Sequence, residues 1–64
     1  MKINTTAIKA AIAEKGLTQR ETAERAGITQ PQLSATLARG TATCKSAGRI
    51  AAALELPVAA ILEP

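Results

Sequence analysis

The sequence predicts an all-α fold: five short helices in one compact domain spanning residues 1–64. Three observations predict it. Apolar residues recur at helical rather than alternating spacing, as in Leu33 and Leu37 and in Ala47, Ile50, Ala51 and Leu54. Hydroxyl or amide residues stand where these runs begin, and glycine stands where several of them end. The chain is also short and has no aromatic residue, so its core must be built from Ile, Leu, Val and Ala on closely packed helices.

The elements follow in order. Asn4 caps a first helix over about Thr5 to Lys15, with Ile3 and Ile8 at the spacing of a hydrophobic staple and Gly16 closing it. Ile8, Ala11, Ile12 and the following Leu17 fall on its apolar side. A second helix runs from about Gln19 to Ala26. A third runs from about Gln30 to Arg39 and is ended by Gly40. Pro31 falls in its first turn, where a missing N–H costs nothing. Thr43 caps a fourth helix over about Cys44 to Leu54; Gly48 inside it suggests close helix contact or simple tolerance. A fifth, short helix runs from Pro57 to about Leu62, with Val58, Ile61 and Leu62 on one apolar face; Glu63-Pro64 read as a frayed end. No internal repeat or low-complexity tract interrupts the series.

Composition excludes several functions. There is no His, and the five carboxylates are scattered, so general acid–base catalysis lacks its usual groups. No Gly-rich phosphate loop is present. Cys44 is the single cysteine, which rules out an intrachain disulfide and leaves no metal-ligand cluster. Its Ala-rich surroundings fit a buried small residue better than a nucleophile. The expectation is a protein that is not an enzyme, with no cofactor and no metal. No apolar run is long enough to span a membrane, and no signal peptide is read, so the expected location is cytoplasmic.

Charge is better placed than it is large. The net charge is +3. No acidic residue occurs between Glu24 and Glu55, an interval holding Arg25, Arg39, Lys45 and Arg49. That is the footprint of a surface set against phosphates, although any one of these side chains also fits a solvated helix face.

The interval from about 18 to 39 carries the most specific signal. Thr18 with Glu21, and Thr29 with Gln32, have the spacing of capping boxes. Ile28 and Leu33 have staple spacing. Gly27 stands where the second helix must end in a left-handed residue. Ala23, four residues earlier, is small enough for two helices to cross closely. The third helix opens with amides and hydroxyls rather than with charge or bulk. Two capped amphipathic helices would share the caps; the turn, the small residue and the polar helix start together mark a helix-turn-helix whose second helix enters the DNA major groove.

These residues also carry a resemblance. Gly16-Leu17-Thr18-Gln19, Glu21 to Thr29, Gln30-Pro31-Gln32-Leu33-Ser34 and Leu37-Ala38-Arg39-Gly40 resemble the Cro/repressor-type helix-turn-helix family, also called the xenobiotic-response-element type. Ile50 to Val58 resembles that family's fourth helix and its exit into the fifth. The resemblance covers nearly the whole chain and implies a five-helix, lambda-repressor-like domain that binds operator DNA, commonly as a symmetric dimer. There are departures. The Gly27-to-Gly40 interval is one residue longer than the commonest pattern and resembles the branch with Gln-Pro in the recognition helix. Ala26 replaces a large apolar residue before the turn, and Thr22 replaces a frequent Leu, both of which thin the core.

Residue roles follow from the resemblance and from the groove chemistry together. Gln19 matches the family glutamine that contacts a phosphate and braces the recognition helix, at a helix N-terminus that favours an anion. Gln30, Gln32, Ser34 and Ala35 are the expected base-contacting residues: glutamine can pair with adenine N6 and N7, serine bonds several edges, and the alanine methyl can touch a thymine methyl. Gln32 has a competing use in its capping box. Thr18, Thr29, Arg39, Thr41, Thr43 and Lys45 join Gln19 as expected backbone contacts. A dimer would set two recognition helices about 34 Å apart on a near-palindromic site. Its expected surface is Leu56, Val58, Ile61 and Leu62, unless these simply close the core.

The expected function is therefore sequence-specific binding of double-stranded DNA, as a small phage or mobile-element repressor acting as a homodimer. Two other readings stand beside it. One is an antitoxin that binds a toxin protein as well as its own operator. The other is a protein-interaction module without DNA binding.

Overall fold

Every α-helix of the computed structural model, which describes residues 1–63, starts at a side chain that caps it. The helices are α1 (Thr5–Glu14), α2 (Gln19–Ala26), α3 (Gln30–Arg39) and α4 (Cys44–Ala53). Asn4 Oδ1 accepts the Ala7 N–H at 3.0 Å. Thr18 and Glu21 form a complete capping box, as do Thr29 and Gln32, and Thr43 Oγ1 accepts the Ser46 N–H at 3.1 Å. Each bond satisfies an N–H that the helix cannot pair internally.

The ends are as local as the starts for α2 and α3. Gly27 and Gly40 hold φ of 73° and 72°, the left-handed region where glycine carries no Cβ penalty. The exit from α4 differs. Glu55 takes the left-handed conformation at φ 57° although it is not glycine, and the Leu56 N–H folds back to the Ala51 carbonyl at 2.9 Å.

The expected fifth helix is not an α-helix. Among the described residues four α-helices form, and the segment after Pro57 is a single 3-10 turn, Val58–Ile61. Four residues are too few to repay helix nucleation, and the segment is held instead by the burial of Ile61. The first and fourth helices each end one residue earlier than expected, at Glu14 and Ala53. Of the expected frayed end, Glu63 is instead held by its N–H, which donates to the Lys2 carbonyl at 3.1 Å, and Pro64 lies outside the described residues.

Helix α2 packs against both α3 and α4, and the 3-10 turn packs against α1 and α4. The core they enclose contains Ile3, Ile8, Leu33, Ile50, Leu54 and Ile61, each at most 2 % exposed. Ala23, Ala47 and Ala51 are buried between them, so the helices approach closely where alanine sits. Thr22 occupies a core position without leaving an unpaired hydroxyl: its Oγ1 donates to the Thr18 carbonyl one turn back, at 2.9 Å. Of the two readings of Gly48, simple tolerance fits, since open space, not a close helix, lies where its Cβ would be. The expectation for Cys44 fails. Cys44 is exposed rather than buried, because it sits in the first, outward-facing turn of α4.

One feature of the fold lies outside any helix. The N-terminal segment runs between the α3–α4 loop and the C-terminal segment. Lys2 bridges antiparallel to Thr41, and Ile3 bridges antiparallel to Leu62. The Ile3 N–H donates to the Gly40 carbonyl at 3.0 Å, and the Ala42 N–H donates to the Met1 carbonyl at 2.9 Å. On the other side, the Asn4 N–H donates to the Ile61 carbonyl at 2.7 Å and the Glu63 N–H to the Lys2 carbonyl at 3.1 Å. This clasp ties three distant parts of the chain to one another. No described helix is long and apolar enough to cross a membrane.

Candidate nucleic-acid interface

Helix α3 turns Leu33, Thr36 and Leu37 into the core, which leaves Gln30, Pro31, Gln32, Ala35, Ala38 and Arg39 exposed and Ser34 half-buried beside α2. A 10-residue helix is about 15 Å long, and its outer side carries amides and small residues but no acidic group. Such a surface is narrow enough to enter a major groove and chemically able to read base edges there.

The side chains on it are not independent. Gln30 Nε2 donates to Ser34 Oγ at 3.3 Å, and Ser34 Oγ donates to Gln19 Oε1 at 3.1 Å. The chain of bonds links the first residue of α3 to the first residue of α2. Its direction has consequences for each amide. Gln19 uses its oxygen internally, so its N–H donors remain free, and donors at a helix N-terminus suit a phosphate. Gln30 gives one N–H to serine and keeps its oxygen and its other N–H, the acceptor–donor pair that matches adenine N6 and N7. The Ser34 hydroxyl both donates and accepts within the protein, so the structure places it as the link between the two glutamines. The resemblance implied that Gln19 braces the third helix; the structure supplies Ser34, 15 positions away, as its partner there.

Gln32 is placed differently. Its Oε1 accepts the Thr29 N–H at 2.8 Å, and its own N–H donates to Thr29 Oγ1 at 3.2 Å. The capping box therefore takes the oxygen of Gln32 and leaves only its amide N–H donors to face a ligand. A two-point contact with adenine is closed to it while the box holds. Ala35 is exposed on the same helix, with its methyl outward.

Around α3 stand the groups expected at a nucleic-acid backbone. Thr18, Thr29 and Thr43 each accept a backbone N–H through Oγ1, at 3.1, 3.2 and 3.1 Å, and each keeps its hydroxyl hydrogen to donate. Thr41, Arg39 and Lys45 are exposed. A shallow groove between α3 and α4 is lined by Ile28, Gln32, Ala35, Thr36, Arg39 and Ser46. The first turns of α3 and α4 contain no acidic residue, so the positive ends of both helix dipoles stay uncompensated. Arg20 and Lys15 pair with Glu24 at 3.5 Å and Glu55 at 3.8 Å. Among the described residues no such partner is paired with Arg39 or Lys45.

The four residues expected at a dimer surface do not share one fate. Ile61 has no exposed surface, because it closes the core beneath the 3-10 turn, and it is unavailable to a partner. Leu56, Val58 and Leu62 are half-buried and pack on the edge of that core.

A family model described as helix-turn-helix matches residues 8–61, which takes in all four α-helices from Ile8 onward and the 3-10 turn. No curated protein and no solved structure matches the chain.

Proposed function

The chain belongs to the Cro/repressor-type helix-turn-helix family, a family of DNA-binding regulators, and from that premise we propose that it is a small operator-binding repressor of a phage or other mobile element. The observation that carries the reading is the hydrogen-bond chain from Gln30 through Ser34 to Gln19. It joins the amide best oriented to read a base to the amide best placed to hold a phosphate. Reading and positioning are then one geometry, and a DNA-binding surface needs both.

In this reading Gln30 pairs with an adenine edge, Ala35 meets a thymine methyl, and Gln32 donates to a purine acceptor through its free N–H groups. Ser34 holds Gln30 in place. Thr18, Gln19, Thr29, Arg39, Thr41, Thr43 and Lys45 grip the flanking phosphates. The protein works as a homodimer whose two α3 helices lie about 34 Å apart on a near-palindromic site. Leu56, Val58 and Leu62 form the partner surface. The DNA ligand places the protein in the cytoplasm.

Fluorescence anisotropy tests this with a duplex taken from upstream of the protein's own gene and a scrambled duplex, each at several salt concentrations. The expected result is tight binding to the upstream duplex that weakens steeply with salt, with the preference over the scrambled duplex lost in Gln30→Ala. Equal affinity of the wild-type protein for both duplexes would count against autoregulation. No binding to either at low salt would sink the DNA reading and leave a protein-interaction module.

A further inference from the structure

The clasp carries a consequence for DNA binding. Lys2 and Thr41 are paired across an antiparallel bridge, and the two backbone bonds that flank them run from Ile3 to Gly40 and from Ala42 to Met1. Lys2 and Thr41 are therefore a non-hydrogen-bonded pair, the arrangement that brings opposite side chains closest, with Cα atoms about 4.5 Å apart. Side chains alternate across a strand. Ile3 and Ala42, the next residues on each side, are 2 % and 8 % exposed. Lys2 and Thr41 accordingly both point outward, on the same face, and both are exposed.

That face continues into the backbone-gripping loop. Thr41 is followed by buried Ala42, then by exposed Thr43, the cap of α4, and by Lys45 in its first turn. The ammonium of Lys2, on a flexible four-carbon stem, stands at the head of this row. It forms no ion pair among the described residues, in contrast with Lys15 and Arg20. Glu63 lies on the other side of Lys2, its N–H bonded to the Lys2 carbonyl at 3.1 Å.

We infer that Lys2 is a further phosphate-contacting residue, delivered to the DNA backbone by the bridge to Thr41. The inference rests on the DNA-binding reading above. Lys2 is 39 positions from Thr41 in the sequence, so only the closed fold makes it part of the interface. The contact reads no bases; it adds one cation to the surface that holds the phosphates.

The test is the salt dependence of binding to a random-sequence duplex, which needs no known operator. Each phosphate neutralised contributes about 0.9 to the slope of log K against log salt. Four proteins are compared with wild type by anisotropy. Lys2→Gln is expected to lower the magnitude of the slope by about 0.9, and Lys2→Arg to retain the wild-type value. Glu63→Gln, which removes a neighbouring negative charge, is expected to tighten binding. Lys15→Gln is the control. Lys15 sits beside Glu55, beyond the C-terminal end of α4 and so about 15 Å along that helix from Thr43; its slope is expected to match wild type.

The clasp at residue 2 is made by main-chain bonds, so Lys2→Gln is expected to fold, which circular dichroism at the assay temperature checks. A folded Lys2→Gln with the wild-type slope overturns the assignment while leaving the DNA reading intact. An equal drop in Lys2→Gln and Lys15→Gln also overturns it, because the effect is then one of net charge. Absence of salt-dependent binding by the wild-type protein overturns the DNA reading and this assignment together.

Discussion

The helix-turn-helix and the clasp hold the same domain together by opposite means. From Thr18 to Gly40, capping and turn formation are settled between neighbours: a threonine and the residue three positions on, or a glycine at a helix end. The clasp joins Met1–Ile3 to Gly40–Ala42 and to Ile61–Glu63, partners about 40 and 60 residues away. Local bonds define where helices begin and end, and long-range bonds decide whether the helices stay together. The difference teaches that in a domain without aromatic residues, good helices are not by themselves a fold.

The largest test of that contrast is Ile3→Ala. Ile3 is 2 % exposed and touches no helix ladder of its own. Removing its side chain is expected to cost about 2–5 kcal/mol, much of the stability of a domain this small. Thermal melting followed by circular dichroism should show all helices lost together at a lower temperature. Helices that melt at the wild-type temperature would break the comparison, since the clasp would then be an ornament on an independently stable bundle.

A smaller effect is expected at the turn. Gly27→Ala places a Cβ on a backbone at φ 73°, and nothing lies within 4 Å of that Cβ. The cost is therefore backbone strain alone, about 1–2 kcal/mol, read by chemical denaturation. A neutral result would mean that the turn readjusts and that its local signal is weaker than its geometry implies.

The smallest effect has the opposite sign. Glu55→Gly relieves a left-handed non-glycine residue at φ 57°. It also gives up the contact of Glu55 with Lys15 at 3.8 Å, an exposed pair of little worth. A net gain of about 0.5–1 kcal/mol is expected by the same denaturation measurement. Destabilisation instead would sharpen the picture by showing that the α4 exit depends on that ion pair.

Much of the fold was legible because its signals are short-ranged. The caps at Asn4, Thr18, Thr29 and Thr43 and the left-handed glycines at 27 and 40 are each visible within a few residues. The base of the candidate interface was legible for the same reason, since α3 was placed by its caps and its Leu33 and Leu37 stripe. What was misread is instructive. The segment after Pro57 has helical spacing in its apolar residues but only room for one 3-10 turn, and of the two roles open to Ile61, a partner surface or closing the core, it takes the second. Cys44 is exposed rather than buried because its neighbours in space differ from its neighbours in sequence.

By itself the sequence determined the helix starts, the glycine stops, the alanine positions that let helices cross, and a recognition helix free of acidic charge. Capping, backbone permissiveness and periodicity act over one or two turns, so a short window contains them. Only the tertiary structure decided that Ser34 of the third helix reaches Gln19 of the second, and that Lys2 stands beside Thr41. A hydrogen bond or strand pair between distant residues exists only once the chain has closed. Its partners leave no pattern in the intervening sequence.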